Sequence, residues 1–423
     1  MNTSITAAPF VAGLAVVTFG MIFVAIWVAH ARLLRFLAAT VAFVLVLTTA
    51  GAAVNAYFNY LPTVATLFGQ RAQDQASSAQ VGELVAASAK PTHGVVEKVS
   101  IPGLVSHFDA RPAQVYLPPA WFAVPRPRLP VLELLHGTPG TPEDWTRAAG
   151  ADVVADNWAA THDGWAPILL LVDENGSFTA DTECANGVAG SAETYLAVDV
   201  PAWAVAKLGA DPERVAWGIG GNSEGGYCAI TLALRHLDRY SLFLDFSGLD
   251  HPTRRGGALH LFDGSREALE AHTPRLILRH HHHWQPRLAG WFEVGSADGG
   301  TTRSMIATAA LSRADGIQTH LVLRRGGHHT WRVWRASFAD ALPWAATRLT
   351  AASGAPPGVL RIGPRQPHAH HGAAQRCTVR SLHRPTVGTH QRSDDRQPKP
   401  RPARASTACR VGTGEAVEND RQQ

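Results

Sequence analysis

One stretch constrains this chain more than any other: Val215-Ala216-Trp217-Gly218-Ile219-Gly220-Gly221-Asn222-Ser223-Glu224-Gly225-Gly226-Tyr227-Cys228-Ala229-Ile230. A short apolar run of strand character leads into Gly221-Asn222-Ser223-Glu224-Gly225, a G-x-S-x-G pattern. From Ile230 to Leu237 the apolar spacing is helical. The stretch therefore reads as strand, sharp turn and helix. Such a turn holds a serine hydroxyl clear of a sheet, and the small flanking residues let strand and helix approach without clashing. The helix N-terminus favours negative charge beside it. The same pattern also occurs in Gly-rich turns that do no chemistry, so its meaning depends on partners elsewhere in the chain.

The surroundings suit such an elbow. Strand-like runs occupy Val95 to Ile101, Ala113 to Leu117, Leu132 to Leu135, Pro167 to Val172, Leu242 to Phe246, Trp291 to Val294 and Ile317 to Leu323. Helical patterns begin at Glu143 and cover Tyr195 to Leu208, Arg303 to Leu311 and Phe338 to Leu349. Strands alternating with helices predict an α/β fold, a mostly parallel sheet with helices on both faces, and such sheets carry their sites at the carboxyl ends of the strands.

Ahead of this pattern lie two apolar runs, Phe10 to Ala29 and Phe36 to about Val54. Each approaches the roughly 20 residues needed to cross the hydrocarbon of a bilayer. Two transmembrane helices are expected, with a signal peptide and a buried helix as the alternative; no basic segment precedes Phe10, as a signal peptide requires. The intervening His30-Ala31-Arg32-Leu33-Leu34-Arg35 is short and rich in Arg, which keeps it cytoplasmic and sends both ends of the hairpin outward. Tyr57, Phe58 and Tyr60 fall where an aromatic belt belongs.

Four regions follow: a membrane hairpin over 1–60, a linker over 61–93, a catalytic domain over 94–350 and a disordered tail over 351–423. Arg71 to His93 is polar and reads as a spacer or a frayed helix. The tail is rich in Pro, Arg, Gln and His, too poor in apolar periodicity to bury a core. It holds 12 Lys or Arg against 5 Asp or Glu, a net +7, whereas the whole chain carries +4; the rest is therefore about −3. The basic balance belongs to the tail, and on the outward side of a membrane a solvated tail is favoured over nucleic-acid binding.

A nucleophilic serine needs a base and a group to orient that base, in the chain order serine, acid, histidine for this fold type. Asp298 lies in the turn after the Trp291 strand and is the expected acid; Glu293, inside that strand, is the alternative. Gly326-Gly327-His328-His329 follows the last strand, and one of the two histidines is the expected base. His280-His281-His282-His283 contains good zinc ligands, but consecutive side chains cannot converge on one ion, and no metal site is expected.

These residues carry a resemblance. His136-Gly137-Thr138, Asp181-Thr182-Glu183-Cys184, Glu193-Thr194-Tyr195-Leu196, the Ser223 elbow and Gly327-His328-His329-Thr330-Trp331-Arg332-Val333-Trp334 together resemble the esterase D and antigen 85-like branch of α/β-hydrolases, over roughly 94–349. The resemblance is to the actinobacterial type with an N-terminal membrane segment. Its pattern of histidine, Ser or Thr, then Trp fits His329 rather than His328. It implies an oxyanion hole at the backbone N–H of Glu224, with a second donor at Gly137 or Thr138. It also implies a disulfide between Cys184 and Cys228, since an exported domain meets oxidising conditions; two separate thiols are the alternative.

The expected activity is that of a membrane-anchored, outward-facing serine esterase acting on an ester or lipid, without a cofactor, passing through an acyl-enzyme. The alternatives are an acyltransferase to an envelope glycan and a non-catalytic cell-envelope binding protein. The antigen 85 mycolyltransferases use glutamate as the triad acid, and Asp298 at that place favours the general esterase. Oligomeric state is not legible in the chain.

Overall fold

The computed structural model describes residues 4–28, 31–67, 75–89, 91–254, 256–280 and 287–352. The two apolar runs form α1 (Ala8–Phe23), which continues as a π turn over Val24–Val28, and α2 (Arg32–Phe58). Both are long and apolar enough to cross a bilayer, with mean hydropathy 2.4 and 2.2, and their side chains are mostly exposed. They pack against each other through polar groups placed between them: Thr18 Oγ1 lies 2.8 Å from Thr49 Oγ1 and itself donates to the Leu14 carbonyl. The two arginines expected in the connecting loop stand in the first turn of α2.

Among the described residues, nine strands make one sheet. They are β1 (Gln75–Ala76), β2 (Val95–Val99), β3 (Ala113–Leu117), β4 (Val131–Leu135), β5 (Ile168–Val172), β6 (Trp217–Asn222), β7 (Leu242–Phe246), β8 (Ala289–Gly295) and β9 (Gln318–Arg324). Their order is β1-β2-β3-β5-β4-β6-β7-β8-β9. Only the pairings of β3 with β2 and β5 are antiparallel; the rest are parallel. Central strands such as Val-Leu-Glu-Leu-Leu in β4 and Ile-Leu-Leu-Leu-Val in β5 are buried throughout, as strands covered on both faces must be.

The covering helices are α3 (Ala151–Ala159), α4 (Val200–Leu208), α5 (Glu224–Arg235), α6 (Gly299–Ala314) and α7 (Trp331–Ala352). Alternate residues of β4 serve opposite layers. Val131 and Leu135 join the core beneath α4, α5 and α6, with Val200, Ile230 and Met305. Leu132 and Leu134 join the core beneath α3 and α7, with Ala155, Phe338 and Leu342. This is the doubly covered α/β sheet expected from the alternation of periods.

Within the stretch read as a spacer or a frayed helix, residues 75–86 are ordered structure that includes a helix. β1 pairs with β2, and a helix over Ser78–Ala86 sets Val81 into the main core. Ser77 and Gln80 close its first turn as a capping box. A nine-residue helix that buries one residue leaves a sequence dominated by its wet face, which is why the stretch reads as polar linker. The disordered tail expected over 351–423 lies almost wholly outside the described residues.

Candidate active site

The elbow forms where β6 gives way to α5. Ser223 takes φ 56° and ψ −119°, a strained conformation for a residue with a side chain. Its backbone N–H donates to the Phe246 carbonyl at 2.9 Å, which fixes the turn to the neighbouring strand. Gly225 is required here because a Cβ would stand 2.3 Å from the His136 carbonyl oxygen and 2.5 Å from that of Leu135. The start of α5 thus passes directly over the end of β4.

The two later segments meet the serine. Asp298 follows β8 and precedes α6, and the backbone N–H of Ala297 donates to the Gly327 carbonyl at 2.9 Å, tying the turn after β8 to the turn after β9. His329 Nδ1 lies 2.8 Å from Asp298 Oδ2 and His329 Nε2 lies 2.8 Å from Ser223 Oγ. The bonding pattern assigns the ring proton to Nδ1, donating to the carboxylate, with Nε2 accepting from the serine hydroxyl. Asp298 is nearly buried at 7% side-chain exposure, while His329 is at 36%, open enough to meet a substrate. The Trp334 ring stands edge-on to the imidazole at 4.9 Å.

The alternative residues lie elsewhere. His328 is exposed. Glu293 is buried within β8, where it accepts from Arg324 Nε at 2.9 Å and Trp291 Nε1 at 3.0 Å, and Arg324 continues to Asp340. Gly137 packs against the serine: a Cβ on it would lie 3.1 Å from Ser223 Cβ. Thr138 Oγ1 donates to the Glu224 carboxylate and accepts from Asn175 Nδ2 at 2.9 Å. Gly137, Thr138 and Glu224, the residues expected to supply the oxyanion donors, therefore lie beside Ser223. Cys184 and Cys228 are bonded as a disulfide that joins the Asp181–Cys184 loop to α5.

The family described as "Putative esterase" matches residues 109–345, which contain this constellation entirely. The chain belongs to that esterase family. An uncharacterized protein of Corynebacterium glutamicum is 34% identical over 330 residues, covering 74% of this chain and 76% of that one. The MPT51 antigen of Mycobacterium leprae is 30% identical over 119 residues, 26% of this chain and 39% of the antigen. Among solved structures, an S-formylglutathione hydrolase from Agrobacterium tumefaciens superposes with TM-score 0.52 at 17% identity, over 61% of this chain and 97% of the other. A ferulic acid esterase superposes with TM-score 0.51 at 18% identity, over 61% and 99%. These structures share the α/β-hydrolase fold that the motifs imply, and family membership supports a hydrolase of esters.

The esterase domain also contains a charged network that sequence motifs do not expose. His136 lies beside Asp173 because β4 and β5 run parallel with Leu135 opposite Val172. His136 Nε2 is 3.1 Å from Asp173 Oδ1, its Nδ1 is 3.0 Å from Glu174 Oε1, and Arg111 Nη2 reaches Asp173 Oδ1 at 2.5 Å. Burial opposes a charge on His136, but the Glu174 and Asp173 carboxylates outweigh it and push the pKa up to about 10. Asp173 is held well below the usual range: burial resists, and the bonds from His136 and Arg111 prevail. His136, Asp173 and Glu174 are also spaced to hold a metal ion. Their donors face one another and the Arg111 guanidinium, a cation that disfavours a second one, so we read them as a support for the Gly137–Thr138 loop. Of the His280–His283 run, His280 is exposed at the end of a helix over Pro274–His280 and the others lie outside the described residues.

Two cavities of this esterase meet at Ser223, His329 and Thr138. One, of 290 Å³, is the more polar of the two and is lined by Asp181, Glu183, Glu224, Ser247, Thr253 and Thr301 among others. Burial and the neighbouring acids hold Glu224 well above the ordinary carboxylate range, and burial with the Asp181 charge pushes Glu183 up to about 8. The other, of 660 Å³, is mostly apolar and is lined by Pro139, Phe178, Trp331 and Trp334 together with residues of α2.

Proposed function

We propose that this chain is a membrane-anchored serine esterase, with its hairpin over 1–60 and its catalytic domain over 94–350 facing away from the cytoplasm. The observation that carries the reading is the unbroken hydrogen-bonded chain from Asp298 through His329 to Ser223 at a strained elbow. Ser223 Oγ attacks the ester carbonyl while His329 Nε2 takes its proton, and Asp298 orients the ring and offsets the imidazolium charge. The oxyanion of the tetrahedral intermediate is met by the backbone N–H of Glu224 and by a second donor at Gly137 or Thr138. Collapse expels the alcohol, which takes the proton back from His329. Water, deprotonated by the same imidazole, then attacks the acyl-enzyme, and collapse breaks the bond to Ser223 Oγ, which takes the proton back from His329 as the acid is released.

The outward orientation of the domain is supported by Arg32 and Arg35 at the start of α2, and the Cys184–Cys228 bond is of a kind that persists outside reducing compartments. Fluorophosphonate labelling tests the nucleophile: wild type is labelled and Ser223→Ala is not. Equal labelling of both removes the assignment.

A second reading is acyl transfer, and the polar cavity favours it. A pocket rich in carboxyl and hydroxyl groups beside the acyl carbonyl suits an acceptor with several hydroxyls, and a held acceptor outcompetes water through effective molarity. Mass spectrometry of products with and without a sugar acceptor separates the two outcomes.

A further inference from the structure

The 660 Å³ cavity ends at Ser223 and His329, but one of its walls is not part of the catalytic domain. Gly51, Val54, Asn55 and Phe58 of α2 line it, spaced at i, i+3, i+4 and i+7, so they form a single stripe of the membrane helix. Val54 and Phe58 are 58% and 43% exposed. The polar group in the stripe is already occupied: Asn55 Nδ2 donates to the Leu61 carbonyl and its Oδ1 accepts from the Leu61 N–H, both at 2.8 Å. The catalytic domain lines the cavity with Pro139, Phe178, Trp331 and Trp334, beside the polar Asp144 and Arg147, and Phe178 is 56% exposed.

We propose that α2 forms one wall of the acyl-binding cavity and that the ester cleaved at Ser223 is a lipid whose acyl chain enters from the bilayer along that helix. This rests on the reading of Ser223 as the nucleophile. A volume of 660 Å³ falls within the roughly 300–1,000 Å³ typical of ligand sites. An acyl chain leaving a bilayer loses favourable burial wherever its methylenes meet water, and a mostly apolar lining from α2 to the serine reduces that penalty. The stripe is held in place by polar contacts just beyond it: Tyr60 Oη donates to Asp144 Oδ1 at 2.5 Å, and the Tyr60 ring stands edge-on to Trp331 at 6.0 Å. The wall therefore belongs to the site rather than to a loosely tethered anchor.

The test uses the full chain as Ser223→Ala, in lipid nanodiscs containing a phospholipid with a photoactivatable diazirine on its acyl chain. Cross-links at Pro139, Phe178 or Trp334 are expected, because these residues lie in the catalytic domain; cross-links confined to α1 and α2 overturn the proposal. In the Ser223 form, Val54→Trp is expected to lower the ratio of kcat/KM for a hexadecanoyl ester to that for an acetyl ester by roughly tenfold or more, since several methylenes lose their burial. An unchanged ratio also overturns it. Failure of fluorophosphonate to label Ser223 removes the nucleophile while leaving the cross-links to judge the cavity, so the two readings fail separately.

Discussion

Arg335 of α7 holds Asn59, the residue that ends α2: its guanidinium donates to Asn59 Oδ1 at 3.0 Å and to the Asn59 carbonyl at 3.3 Å. Asn59 takes φ 55°, the left-handed conformation that closes many helices and that asparagine tolerates better than most residues. Arg335 Nε also donates to the Ala148 carbonyl at 2.7 Å. One side chain thus joins the end of the α1–α2 hairpin to two parts of the esterase domain.

Replacing that side chain should loosen the junction without touching the serine. Arg335→Ala leaves three partly buried oxygens without their donor, which costs roughly 1–3 kcal/mol. Thermal unfolding of the full chain in detergent should show a lower Tm while fluorophosphonate still labels Ser223. An unaltered Tm would mean that the junction contributes nothing to stability.

Kinetics on a chromogenic ester should separate the site residues from their sequence neighbours. Asp298→Asn and His329→Ala are expected to lower kcat by about 10²–10⁴-fold, the scale of general acid–base catalysis. His328→Ala, altering an exposed ring, should leave kcat within a few-fold. Glu293→Gln should act on Tm instead, because it weakens the ion pair with Arg324. A rate loss at Glu293 matching that at Asp298 would reassign the acid.

Reduction should weaken the wall of the polar cavity. The Cys184–Cys228 bond closes a loop with a sequence separation of 44, worth about 4 kcal/mol in the chain-entropy account. Cys184→Ala with Cys228→Ala should lower Tm correspondingly. Alkylation of the unfolded, unreduced wild type should find neither thiol free; finding both free excludes the bond.

Stability should fall on the alkaline side, and His136 is one cause. Its folded pKa of about 10 lies above its ordinary 6.5, so its contribution is complete below about pH 6.5 and is lost as pH rises through about 10. Glu133 and Asp245, pushed up by burial to about 8 and about 7, act in the same direction at lower pH, because the folded state holds protons that the unfolded chain gives up. The Tm of wild type should therefore decline from neutral pH to pH 10, more steeply than that of His136→Gln, which keeps only the acids' share. Parallel slopes would show that His136 is not charged in the folded protein.

The elbow, the alternation of strands and helices and the two membrane-length helices are legible in the chain because each is a local property. A turn between strand and helix needs Gly221 and Gly225 at fixed spacing, a strand buried on both faces reads as a nearly continuous apolar run, and a span must be about 20 residues long. Candidate triad members are legible for the same reason, as polar residues in the turns after strands.

Choosing between His328 and His329 is different, since both occupy one turn; the bond from Ala297 to Gly327 and the packing of Trp334 decide which ring reaches Ser223. The His136, Asp173 and Arg111 network depends on β4 and β5 being neighbours although 32 residues separate Leu135 from Ile168, and strand order is a long-range outcome. The same holds for the stripe on α2. In sequence, Gly51, Val54, Asn55 and Phe58 are indistinguishable from residues that face lipid, because apolar spacing specifies that a surface will be buried but not what buries it. That choice was made by Asn59, Tyr60 and Arg335, whose polar contacts form only once α7 and the end of α2 have come together.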